Sequence, residues 1–176
     1  MQDEAQDDGA AKTRVAEDEH GPRATYEDIE IGQDLGLVEW TIGDADIDKQ
    51  CRVDVDYHPW YFKPSPHGRR LAPPQIQYRP PRWLLSRNYN LRGLFYKWEF
   101  ENTGPLVVDE KIAVTGRILD KWIERDREYV KFEAIGTDPR GDVVFRTVRT
   151  HVLDSLKRTA PREGRGLDSG IKNEKI

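Results

Sequence analysis

Three stretches in the C-terminal half alternate with a period of two and follow one another at hairpin spacing. Ile112, Val114, Gly116 and Ile118 share one face of the first, and Val130, Phe132 and Ala134 share one face of the second. In the third, Val144, Arg146, Val148, Thr150 and Val152 alternate with Phe145, Thr147, Arg149, His151 and Leu153. Side chains two apart lie on one side of a pleated strand, so the pattern demands extended chain. Asp138-Pro139-Arg140-Gly141-Asp142 is a turn sequence between the last two, which makes the run an antiparallel meander. Gly116, inside a strand, is expected to mark a bulge.

Upstream, Leu94 to Glu101 also alternates, with Phe95, Lys97 and Glu99 against Tyr96, Trp98 and Phe100. Leu35 to Thr41 reads as a short strand. Asp44 to Arg52 reads as a helix, capped by Thr41 or Asp44, with Ile47 and Cys51 four apart on one face. Val53 to Pro74 holds five prolines and Gly68 and reads as loop. Gln75 to Asn90 has helical spacing, interrupted at Pro80-Pro81. Pro80 removes a donor and Pro81 disfavours the helical region for its predecessor, so Trp83, Leu84 and Leu85 are expected to open a second helical piece. The order strand, helix, loop, central helix, meander predicts the α+β class, a twisted antiparallel sheet wrapped around one helix.

Composition limits the setting. Five Trp and seven Tyr in 176 residues supply a core and exclude full disorder. No window approaches the ~20 apolar residues of a membrane span. The acidic segment 1–24 lacks an apolar stretch and reads as a disordered tail, not a signal peptide. The basic segment 155–176 reads as a flexible tail, leaving 25–154 as one domain. Cys51 is the lone cysteine, so no internal disulfide forms, and no Cys/His cluster has metal-ligand spacing. A cytoplasmic protein is expected.

The net charge of −4 conceals two opposed blocks, −8 over residues 25–61 and +8 over residues 62–98. The basic block carries Lys63, Arg69, Arg70, Arg79, Arg82, Arg87, Arg92 and Lys97 with no carboxylate. Two readings stand: a face that pairs with the acidic remainder, within or between chains, or an anion site for phosphates. Interleaved Tyr78, Trp83, Tyr89 and Tyr96 would suit single-stranded nucleic acid. The acidic balance and the lack of a ribonucleoprotein motif argue against that partner.

From Tyr26 to Leu153 the chain resembles the MaoC-like hotdog-fold proteins, the (R)-specific enoyl-CoA hydratases and dehydratases, and among them the N-terminal dehydratase-like subgroup. The likeness rests on Tyr26-Glu27-Asp28-Ile29-Glu30-Ile31-Gly32-Gln33, on Thr41 to Ile47, on Asp56-Tyr57-His58-Pro59-Trp60-Tyr61, on Ala72-Pro73-Pro74, and on the closing strands from Gly104-Pro105 to Leu153. The family signature is Asp-x-Asn-Pro-x-His. Matched on its proline, it puts Asp56 in the aspartate slot, His58 where Asn is usual and Tyr61 where the catalytic His is expected. Hydration of a 2-enoyl thioester needs a base for water and an acid for the α-carbon. Tyr, with a reference pKa of about 10, is a poor base at neutral pH but a competent donor.

The resemblance implies a hydro-lyase on an acyl-CoA thioester, with Asp56 orienting or activating water and His58 or Tyr61 supplying the proton. It also implies polarisation of the thioester carbonyl by amides at the start of the central helix. Pro73 and Pro74 cannot donate, so Gln75 N–H or a neighbour would. Arg69, Arg70 or Arg79 would hold the CoA phosphates, and no cofactor is needed beyond CoA as part of the substrate. A steroid side chain, an aromatic group or a branched short chain would each suit the acyl site. A homodimer, or a heterodimer with a second hotdog chain, is expected. In the heterodimer this chain is a non-catalytic subunit that shapes the acyl site, and a hotdog thioesterase is a third reading. Plain structural roles stand beside these: Asp56 as a loop cap, His58 and Tyr61 as packed rings, His67 in a turn, His151 and Cys51 in the framework.

Overall fold

The computed structural model describes residues 24–89 and 93–153. The tails assigned to 1–24 and 155–176 lie outside this range except for Ala24, as do His20 and Arg92. The described chain runs β1 (Asp34–Thr41), α1 (Asp44–Asp54), a 3-10 turn (Pro59–Tyr61), a second one (Pro74–Tyr78), α2 (Arg79–Asn88), β2 (Gly93–Asn102), β3 (Lys111–Glu124), β4 (Arg127–Thr137) and β5 (Val143–Leu153). The strands form one antiparallel sheet in the order β1-β3-β4-β5-β2, with β1 and β2 at its edges.

The meander forms as the alternation requires. Arg125 and Asp126, both with left-handed φ (50° and 57°), make the two-residue β3–β4 hairpin, matching the twist of the strands. Between β4 and β5 the Asp138–Asp142 turn closes on the Asp138 carboxylate, which accepts from Arg140 N at 2.9 Å and Asp142 N at 3.0 Å.

α2 crosses the concave face over β1 and β3. Leu84 and Leu85 of α2, Ile76 of the preceding turn, and Ile47 and Cys51 of α1 pack there against Val38, Ile112, Val114, Ile118 and Phe132. Burial of these side chains, at roughly 1.5–3 kcal/mol each, holds the helix to the sheet. Gly116 does not carry the expected bulge; the register shifts between Ile118 and Asp120. Its role is close approach, since a Cβ there would stand 2.5 Å from the Glu133 carbonyl oxygen and 3.2 Å from Leu84 Cδ1.

Three further expectations change. The cap of α1 is Gly43, whose N–H donates to Asp46 Oδ2 at 3.3 Å, not Thr41 or Asp44. Pro80 and Pro81 lie inside α2, in its first turn, where the missing N–H groups would have had no helical partner anyway. The change from 3-10 to α geometry falls at Tyr78–Arg79, one residue ahead of them. A bulge in β2 between Phe95 and Lys97 breaks the simple alternation there. It turns Phe95 to the face of Trp98, with which it makes an edge contact at 6.3 Å.

Candidate functional site

The segment after α1 is built by a run of local caps. α1 ends at Val55, a β-branched residue held in the left-handed region (φ 55°, ψ 35°). This reversal sends Asp56 back over the helix end, and its N–H donates to the Cys51 carbonyl at 3.1 Å. Asp56 Oδ1 then accepts from His58 N at 3.3 Å, and His58 Nδ1 accepts from Trp60 N at 3.3 Å. Asp56 therefore does act as a loop cap. Pro59 opens the 3-10 turn that presents Tyr61, whose ring lies 5.4 Å from the His58 ring.

These caps set the protonation chemistry. An imidazole whose Nδ1 accepts a hydrogen bond carries its proton on Nε2 when neutral, so His58 offers a donor at Nε2. Burial pushes the Tyr61 phenol above its ordinary value, and the negative charge of nearby Asp56 pushes the same way. Tyr61 stays protonated across the neutral range.

His58, Trp60 and Tyr61 form one wall of a cleft of about 270 Å³. Leu71, Ala72, Pro74, Asn102 and Gly104–Leu106 complete its lining. The walls are tied by backbone pairing, Leu71 N to Trp60 O at 2.9 Å and Ala72 N to Leu106 O at 2.8 Å. Among the described residues that line the cleft there is no carboxylate. Asp56 does not line the cleft, and the side chain of Gln75 is exposed and off it, although its N–H is the first amide the Pro73-Pro74 turn can offer.

Asn102 was not a sequence candidate. Its Oδ1 accepts from Gln77 Nε2 at 2.6 Å, and Gln77 is fully buried. The two residues lie 25 apart, on different elements, and no local pattern links them.

The three arginines assigned to CoA phosphates lie elsewhere in the charge map. Arg70 donates to Asp44 and Asp48, each at 2.5 Å, and to the Tyr61 carbonyl at 2.7 Å. Arg79 pairs with Asp46 at 2.5 Å, and Arg69 with Glu110 at 3.1 Å. The acidic and basic blocks thus meet within the chain: α1 presents aspartates in its first turns, where they also favour the helix dipole, and the loop and α2 bring the arginines to them. None of the three lines the cleft.

Among the described residues no cluster of His, Cys, Asp or Glu could hold a metal ion, and no helix is long and apolar enough to cross a membrane.

No family model and no curated protein matches the chain in sequence. Solved structures do match in shape. The R-hydratase PhaJ1 from Pseudomonas aeruginosa aligns at TM-score 0.62 with 15% identity, over 73% of this chain and 84% of that one. The MaoC-like dehydratase from Rhodospirillum rubrum aligns at 0.60 with 19% identity, over 72% and 94%. The HadBC 3R-hydroxyacyl-ACP dehydratase complex from Mycobacterium tuberculosis aligns at 0.62 with 14% identity, over 69% and 96%. Order of strands, the helix on the concave face and these alignments together make the chain a hotdog-fold protein, with hydratases and dehydratases among its structural neighbours.

Proposed function

We propose that the chain is the acyl-binding half of a hotdog pair that hydrates 2-enoyl-CoA thioesters or dehydrates 3-hydroxyacyl-CoA. The observation that carries this is the make-up of the cleft. Its polar groups are donors or amides (His58 Nε2, the Tyr61 phenol, Asn102), and no carboxylate lines it among the described residues. Such a set can grip and polarise a thioester carbonyl and protonate a carbon, but it lacks the carboxylate that would activate water. The base then comes from a second hotdog chain with an intact Asp-x-Asn-Pro-x-His motif. The Ala72-Pro73-Pro74 turn and the altered Asp56–Tyr61 motif favour the N-terminal dehydratase-like subgroup.

The β2 edge supports the pairing. Leu94, Tyr96 and Phe100 on it are 72%, 64% and 44% exposed, and among the described residues no strand pairs with its outer backbone groups. An unpaired, aromatic-rich edge of this length is a template for strand addition. The HadBC neighbour is itself a complex of hydroxyacyl-ACP dehydratase chains.

A second reading keeps the chemistry in this chain. The Asp56 charge acts on the Tyr61 phenol, so a shift of the loop would give a carboxylate and a phenol as base and acid.

The two readings separate in one assay: turnover of crotonyl-CoA by this chain alone and by this chain co-expressed with a hotdog partner encoded beside it. Activity only in the pair, reduced by Tyr61→Phe, supports the first. Full activity alone, abolished by Asp56→Ala, supports the second. Free CoA as the product would make the protein a thioesterase.

A further inference from the structure

Three polar atoms are buried without a hydrogen-bond partner among the described residues, and they gather in one neighbourhood of the concave face: Arg149 Nε, His151 Nε2 and Gln77 Oε1. Arg149 is 3% exposed. Its guanidinium lies 5.5 Å from the Phe95 ring and 5.4 Å from the Trp98 ring. Among the described residues its one hydrogen bond is long, from Nη2 to the Gln77 carbonyl at 3.5 Å. No carboxylate among the described residues pairs with it. Burial pulls its pKa down to about 10, so it remains a cation at neutral pH.

Water would satisfy the orphan atoms of Gln77 and of a neutral His151, but water does not neutralise a guanidinium. Two ring faces offset only part of the cost of burying that charge.

The path to it starts at the cleft. Asn102, Phe100 and Trp98 are alternate residues of β2 and face the same side. Asn102 lines the cleft, and Trp98 lies against Arg149, about 13 Å further along the strand. Phe100 between them is 44% exposed, and Phe95 beyond them 50%. Gln77 joins both ends, through its side chain to Asn102 and its carbonyl to Arg149. An apolar strip that begins at a thioester-sized cleft and ends on an unneutralised cation has the form of a site for an amphipathic acid.

We propose that this strip takes an acyl chain ending in a carboxylate, received by Arg149, so that the substrate class is the monothioester of a dicarboxylic acid. The proposal rests on the reading that the cleft binds an acyl thioester.

The test is calorimetric binding of two matched probes to the full-length protein, suberoyl-CoA and octanoyl-CoA, which differ only in the terminal carboxylate. Suberoyl-CoA is expected to bind roughly 30-fold more tightly or better. Arg149→Met should bring the ratio near one, and Arg149→Lys should keep part of it. Equal binding of both probes by the wild-type protein overturns the carboxylate site and leaves the thioester reading intact; binding of neither overturns both. A wild-type protein without preference whose Arg149→Met variant falls apart into single chains would assign the cation to an acid of a neighbouring subunit, against the proposal. If Arg149→Met does not fold, the wild-type ratio and Arg149→Lys decide.

Discussion

Replacing Arg70 by methionine should cost about 2 kcal/mol and loosen the loop that carries Tyr61. The Arg70 side chain binds both α1 and that loop. Its Nη atoms hold Asp44 and Asp48, and its Nε holds the Tyr61 carbonyl. The Arg70 side chain is 20% exposed, while those of Asp44 and Asp48 are 63% and 47% exposed. Solvent screening limits each ion pair to about 0.5 kcal/mol. The hydrogen bond to the Tyr61 carbonyl adds about 1 kcal/mol. The contact with the Phe62 ring at 5.9 Å adds a few tenths at this exposed site. Breaking a buried ion pair would cost ~3–5 kcal/mol, but here the freed aspartates stay hydrated at the positive end of α1. Methionine keeps the packing of the stem, so the loss reports polar contacts. Urea unfolding measures it, and 1 M salt should shrink the difference by roughly the ion-pair share. In a double-mutant cycle, Asp48→Asn should couple to Arg70→Met and Arg117→Met should not. A loss under about 0.5 kcal/mol, or no coupling to Asp48, would refute the claim that this clamp positions the site.

Val55→Gly should stabilise the protein by about 0.5–1 kcal/mol, because glycine relieves the left-handed strain and Val55, 74% exposed, buries little; equilibrium unfolding checks it, and a destabilised variant contradicts it. His151 is held neutral down to about 4, by burial first and by Arg149 second. Its folded pKa lies below the ordinary 6.5, so its contribution is full above pH 6.5 and is lost as pH falls from 6.5 to about 4, by at most about 3 kcal/mol. His151→Phe should flatten the stability profile across that window, and an unchanged profile would count against a neutral buried ring. The Asp138 carboxylate is opposed by burial, but hydrogen bonds from Arg140 and Asp142 outweigh this and hold its pKa below 3.8. Its contribution is present above 3.8 and lost as pH falls through the lower folded value, so Asp138→Asn should cost about 1–2 kcal/mol at pH 7, with the gap closing in acid; a gap that stays constant to pH 2 would be the contrary result.

Much of the architecture was legible in the chain because it rests on local periodicity. β3, β4 and β5 follow from alternation and turn chemistry, and α1 from the spacing of Ile47 and Cys51. The motif around Asp56 was visible as well, since its caps run only two residues ahead, from Asp56 to His58 and from His58 to Trp60. The prolines of α2 do not break it, because their effect depends on where the helix begins, and the 3-10 turn ahead of them sets that start.

What the sequence by itself determined is a five-stranded antiparallel sheet with a helix on it, and a loop whose Asp, His and Tyr lie close together. Tertiary structure alone decided what those residues can do. Only folding shows that Arg69, Arg70 and Arg79 are taken by α1 and Glu110, because each pairing spans 22 to 41 residues of chain. Only the register of β5 against β2, with the bulge at Phe95, turns Arg149 and His151 inward beside Trp98. Alternation defines two faces of a strand but not which one meets the core. That choice belongs to the neighbours, and it buries a cation where valines would have packed.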